Sequence, residues 1–212
     1  MGIDIKPECR GRSSHTSYTV TIHGRAIPTQ VTSSCRSARY WIHKFLRVCP
    51  RHQPELLVGL DIEWRPNFTR GGVQNPVAII QLCISKSCLI FQLHQASSIP
   101  KSLYEALQNP NIVYAGLGIT RDAKKLEEDY GLQIARCIKL ETMAAKVYDQ
   151  KELQRAGLKT LVEYILEEDI PKPKHVTLSN WQAKTLTCDQ VCYACVDAYY
   201  SYKLAKQMLY DD

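Results

Sequence analysis

The sequence predicts an α/β fold with a mixed central sheet flanked by helices. Strand-length apolar runs stand at 56–64, 77–84, 87–93 and 111–118. Around them, apolar residues recur at helical spacing. Strands come mostly first and then alternate with helices, the order expected of a mixed sheet. With 212 residues, 45% hydrophobic and 23% charged, the chain suits one large domain with a sizeable core.

Taken in order, residues 1–14 are polar and read as a flexible N-terminus. Residues 15–55 read as a hairpin and a helix packed on the core. In the hairpin, Tyr18, Val20 and Ile22 share a face, Gly24-Arg25 breaks the run, and "AIPTQVT" returns. Ser34 is the expected cap of a helix whose stripe is Ala38, Trp41, Ile42, Phe45 and Leu46. Residues 56–212 form the main domain. Its first strand, 56–64, is followed by a loop, "RPNFTRGGVQNP", rich in Gly, Pro and Asn. Strands at 77–84 and 87–93 meet at a tight turn around Lys86. A helix over 101–108 precedes the strand at 111–118, and the next helix has Thr120 as its expected cap and Gly131 as its stop. Residues 138–148 fit helix and strand alike. Leu158, Leu161, Val162, Ile165 and Leu166 give another helical stripe. "PKPKHVTLSN" reads as a loop, and a long helix from about Asp189 to Leu209 ends the chain.

The net charge of +6 permits an anionic partner without requiring one. No stretch approaches the ~20 apolar residues that span a membrane. The first residues lack a signal-peptide core, so the expected setting is the nucleus or cytoplasm, with no membrane partner. Nine cysteines, an odd number, fit a reducing compartment. Cys192 and Cys195 have CxxC spacing but no second pair, so packing on a helix explains them better than zinc. A redox or zinc protein built on Cys188, Cys192 and Cys195 is the weakest functional reading.

The first strand of the main domain, "LLVGLDIEWRP", raises a sharper question. Asp61 and Glu63 sit at i and i+2, so they stand side by side on one face. Buried like charges repel, and a cation between them is the usual remedy. Two further acids stand out. Asp122 lies in the first turn of a helix, where complementing the helix dipole is a sufficient reason for it. Asp197 follows Tyr193 by four residues and shares its helix face, among Val191, Ala194, Val196 and Ala198.

Three stretches carry these residues in order: "VGLDIEWRP" with "NPVAIIQLCISKSCLIFQL", then "VYAGLGITRDAKKLEEDYGL", then "LSNWQAKTLTCDQVCYACVDAYYSYKL". Together they resemble the DEDD superfamily of 3′–5′ exonucleases in its DEDDy branch. Within it the likeness is greatest to the Werner-syndrome-type exonuclease domain, small plant members included. The resemblance covers roughly residues 56–209. Family members often have Arg-Pro before the Leu of the third stretch, where Lys184 and Thr185 precede Leu186 here. The His of the sister branch is replaced by Cys192, so the Tyr branch is the one that fits.

The resemblance implies an RNase H-like fold in which Asp61, Glu63, Asp122 and Asp197 converge on one cleft and bind two Mg²⁺ or Mn²⁺ ions. All-oxygen donors suit those ions. By analogy Asp61 bridges both metals, Glu63 and Asp197 complete the nucleophile-side ion, and Asp122 holds the other mostly through water. Tyr193 would orient the attacking water, since a phenol with a pKa near ~10 is a poor base at neutral pH. The implied activity is hydrolysis of DNA or RNA from a 3′ end, releasing nucleoside 5′-monophosphates. Trp64 and Phe68 are candidates to stack on a terminal base, Trp64 being as well suited to core packing. Arg65, Arg70, Arg121, Lys124 and Lys125 are candidates for phosphate contacts or plain surface charge. The alternative is a catalytically weak binding or scaffold domain on the same fold, but such domains usually lose one of the acids. A helicase partner would be a separate chain, and a ring-shaped homo-oligomer is one way for so compact a nuclease to grip its substrate.

Overall fold

The computed structural model describes residues 2–7, 15–46, 55–69, 71–171 and 173–210. Arg70 lies outside them. The frame is one eight-stranded sheet in the order β1-β2-β3-β6-β5-β4-β7-β8. Its strands are β1 (Ile3–Pro7), β2 (Thr16–Ile22), β3 (Arg25–Thr32), β4 (Leu56–Trp64), β5 (Val77–Ile84), β6 (Ser87–Phe91), β7 (Ile112–Gly116) and β8 (Cys137–Lys139). The pairs β3/β6, β4/β7 and β7/β8 are parallel and the other four antiparallel, so the sheet is mixed as expected.

Of the stretch 1–14 expected to be flexible, residues 1 and 8–14 lie outside the described residues. Ile3–Pro7 is a strand rather than a flexible tail, because Ile3 and Ile5 align with Ile22 and Val20 and add their side chains to the same core. The hairpin β2/β3 does not merely rest on the main domain. β3 pairs with β6 and makes the sheet continuous across the 55/56 boundary. Its turn uses His23 and Gly24, both at positive φ, the type of turn that matches strand twist in a two-residue loop.

The helices form two layers. α1 (Cys35–Phe45), α2 (Lys101–Leu107) and α3 (Ile119–Tyr130) cover one face of the sheet; α4 (Leu140–Val147), α5 (Leu158–Leu166) and α7 (Cys188–Tyr210) cover the other. β4 shows the reason in its alternation. Leu56, Val58, Leu60 and Ile62 enter the core under α1–α3. Leu57 belongs to the core under α7, and Gly59, Asp61 and Glu63 follow it on that face.

Ser34 caps α1 as expected, its hydroxyl accepting from Ser37 N–H. Thr120 does not cap α3. The helix begins one residue earlier, with Gly118 at φ 66° as its cap, because the chain must turn sharply out of β7. Gly131 ends α3 in the left-handed conformation. The third apolar run stops as a strand at Phe91, and Leu93–Gln95 forms a single 3₁₀ turn. The ambiguous 138–148 stretch resolves into the end of β8 followed by α4. The expected loop over 171–180 contains a short helix, α6 (Lys174–Thr177).

An ion cluster ties the far end of α7 to the hairpin. The Glu168 carboxylate accepts from Lys203 Nζ at 2.6 Å and Tyr200 Oη at 2.9 Å, with Arg25 at 3.5 Å. Burial alone would push the Glu168 pKa up; the bonds from Lys203 and Tyr200 and the charges of Lys203 and Arg25 hold it below the ordinary glutamate value. A depressed carboxyl pKa stabilises the fold above the unfolded-state value and loses that effect as pH falls through the folded one. Glu168→Gln is therefore expected to lower thermal stability at pH 7 by about 1–2 kcal/mol. The gap to the parent should persist down to about pH 4.3 and close below it, as melting curves across pH will report.

Candidate active site

The site is built where α7 crosses β4. Gly59 makes the crossing close: a Cβ there would stand 2.0 Å from the carbonyl oxygen of Ala198 and 2.5 Å from the backbone nitrogen of Tyr202. Any other residue would hold the two backbones apart. The contact sets Asp197, the neighbour of Ala198, over the end of β4. Carboxylate oxygens of Asp61, Glu63 and Asp197 lie within 4.8 Å of one another. Asp197 is buried and the other two are half-buried. Three acids this close, all offering oxygen, fit a hard divalent cation.

Tyr193 stands one turn before Asp197 and is also buried. Its hydroxyl accepts from Thr177 Oγ1 at 3.3 Å, and its ring leans on Trp181 with centroids 5.9 Å apart. Burial pushes its pKa up, and Asp197, Glu63 and Asp61 add to that against the opposing bond from Thr177. The phenol therefore keeps its proton at neutral pH.

Thr177 and Trp181 carry no signal of their own in the sequence. They are held by a local device that does. Thr187 Oγ1 accepts from Gln190 N–H and Gln190 Oε1 accepts from Thr187 N–H, a reciprocal cap at the start of α7. The Gln190 amide also donates to Ser179 Oγ and Asn180 O, fastening the turn that carries Trp181.

Asp122 does not join the three-acid group. It lines an adjoining groove of about 490 Å³ with Trp64, Arg121, Lys124 and Lys125. Burial above all raises its pKa to about 7; nearby Glu141 adds to this and Arg121 opposes it. Glu141 in turn accepts from Gly118 N–H at the start of α3. Sequence order placed Asp122 in the motif, but the spacing between elements did not say how far its carboxyl stands from the other three.

Of the substrate-contact candidates, Trp64, Arg121 and Lys124 share this groove. Lys125 Nζ sits 5.3 Å above the Trp64 ring and 3.1 Å from Asp129, so one face of the indole is covered. Asp129 and Tyr130 clamp the first residue of β5, accepting from Val77 N–H and donating to Val77 C=O respectively. Lys124 pairs with Glu128 at 3.5 Å. Arg65 and Phe68 are exposed on the loop after β4 and line none of this groove.

The helix cysteines do not form a site among the described residues. Cys188 is exposed, Cys195 points into the core and accepts from Thr29 Oγ1 at 3.2 Å, and burial pushes the Cys192 thiol up to about 12. A thiol raised this far is protonated at physiological pH.

A family model described as a 3′–5′ exonuclease matches residues 35–211. The chain belongs to the 3′–5′ exonuclease family. A 3′–5′ exonuclease of Arabidopsis thaliana is 37% identical over 151 residues, 70% of this chain and 51% of that protein. The bifunctional 3′–5′ exonuclease/ATP-dependent helicase WRN of Mus musculus is 36% identical over 144 residues, 68% of this chain and 10% of that protein. The chain thus spans about half the length of the plant relative and a tenth of the mouse one. The catalytic core of RRP6 from Trypanosoma brucei superposes with a TM-score of 0.66 at 15% identity, over 85% of this chain and 46% of that one, which supports the RNase H-like fold.

Proposed function

We propose that this chain is a metal-dependent 3′–5′ exonuclease that removes nucleoside 5′-monophosphates from the 3′ end of DNA or RNA. The observation that carries the reading is the gathering of Asp61, Glu63 and Asp197 within 4.8 Å, one helical turn from Tyr193. Asp61, Glu63 and Asp197 would hold one divalent ion, Mg²⁺ or Mn²⁺, and Asp122 a second, held largely through water. When bound, such ions activate water and neutralise charge on the leaving oxygen.

The chain's own groups supply the rest. Protonated Tyr193 would donate a hydrogen bond that orients the water, its hydroxyl accepting in turn from Thr177 Oγ1. Trp64, Arg121 and Lys124 give the groove beside Asp122 an aromatic wall and positive charge, a surface suited to a single strand. Phe68, 78% exposed, does not serve the core, which supports its reading as a contact for a base. All four acids and the Tyr are present in the sequence, and three of the acids come together, which supports an active enzyme over the binding or scaffold alternative. Where a duplex must be opened, a separate helicase would act beside this chain. A nuclear or cytoplasmic setting is part of the same proposal, as is assembly into a homo-oligomer for grip.

The test is a time course on 5′-end-labelled linear DNA and RNA, single- and double-stranded, with Mg²⁺ or Mn²⁺. A ladder shortening from the 3′ end is expected, with 3′-blocked strands resistant and EDTA abolishing the reaction. Cleavage of a circular strand would contradict it. Tyr193→Phe is expected to lower turnover about 10–100-fold with unchanged metal binding, since only the water's orientation suffers. A loss equal to that of removing a carboxylate would give the phenol a larger role.

A further inference from the structure

Gln81 lies on β5 with neither its amide nitrogen nor its amide oxygen hydrogen-bonded, and it is fully buried. In the ladder it stands opposite Asp61 on one side and Ile90 on the other. Residues opposite one another share a face, with Cβ atoms about 5 Å apart. Its neighbours along that face of β5 are Ile79 and Cys83, both fully buried in the core under α7. An apolar side chain of the same volume would fill this place without stranding two polar atoms. Packing therefore does not account for the amide. The group beside it does: Asp61 is one of the three acids gathered at the site. Carboxylates that hold metals are themselves held by outer hydrogen bonds.

We infer that Gln81 is a positioning residue for Asp61, its amide N–H donating to the Asp61 carboxylate when the site holds a divalent ion. The inference rests on the metal-site reading above and adds to it the group that sets the carboxylate's rotation. It also gives the buried amide a partner in the loaded site that the packing around it does not offer.

The test uses the full chain with Gln81→Met and Gln81→Glu, read by melting in EDTA and by calorimetric titration with Mn²⁺. Gln81→Met keeps the volume and removes the amide. Its melting temperature in EDTA should equal or exceed the parent's, while its Mn²⁺ dissociation constant rises about 10–100-fold. Gln81→Glu sets a further acid beside Asp61, so Mn²⁺ should raise its melting temperature by more degrees than it raises the parent's. The assignment is overturned if Gln81→Met binds Mn²⁺ within about twofold of the parent. It is also overturned if that variant melts lower in EDTA, because the amide would then be supporting the sheet. An Mn²⁺-dependent gain in Gln81→Glu no larger than the parent's would overturn it as well. A parent that binds Mn²⁺ but does not shorten 3′ ends removes the exonuclease reading and leaves these binding comparisons to decide the role of Gln81. A parent that binds no Mn²⁺ removes both.

Discussion

Asp61→Asn should lower turnover by at least ~10³-fold, the scale expected when a central electrostatic group is lost from a hydrolytic site. Asp61 belongs to the group of three acids: Glu63 shares its strand face and Asp197 approaches from α7. Replacing it leaves shape and packing nearly intact while removing the charge that both neighbours need in common. The same change relieves repulsion among the carboxylates. Melting in metal-free buffer should therefore match or exceed the parent's, which separates lost chemistry from lost fold. Asp197→Asn should behave similarly. If Asp61→Asn retained full activity, the assignment of these carboxylates to metal binding would fail.

Gly59→Ala should be nearly as damaging, by a different route. Its added methyl would meet the Ala198 carbonyl oxygen at 2.0 Å, a backbone atom that cannot swing aside. Either β4 or α7 must move, and overpacking of this kind costs about 1–3 kcal/mol or more. The movement falls where Asp61 and Asp197 are brought together, and a displacement of about 1 Å at such a site costs turnover on the order of 10²-fold. A melting curve and a kinetic assay on the same preparation check both parts. Unchanged stability would mean that the crossing tolerates separation.

These two residues also show how legible the molecule is from its sequence. Asp61 and Glu63 were conspicuous because carboxylates are out of place at the end of an apolar strand. Gly59 was silent: a glycine within a strand signals close backbone approach only once the crossing helix is known. Strands β4 to β7 were legible as apolar runs because they are buried on both faces. Ile3–Pro7 was not, since two isoleucines among charged residues need β2 alongside to bury them. Thr120 looked like a cap because local propensity favours it. The tight exit from β7 decided for Gly118 instead. Gln81 was hidden within "VAIIQLCI", where one amide among apolar residues reads as noise until the ladder sets it opposite Asp61. The separation of Asp122 from the other acids depends on how α3 sits on the sheet, which no spacing along the chain encodes.

The most direct test is the chemistry of the released product. A linear strand digested in heavy-oxygen water with Mn²⁺ should yield nucleoside 5′-monophosphates with the heavy oxygen on their phosphate, leaving an unlabelled 3′-hydroxyl on the shortened strand. Release of nucleoside 3′-monophosphates, or label on the shortened strand's new end, would contradict water attack at a 3′-terminal phosphodiester held by Asp61, Glu63 and Asp197.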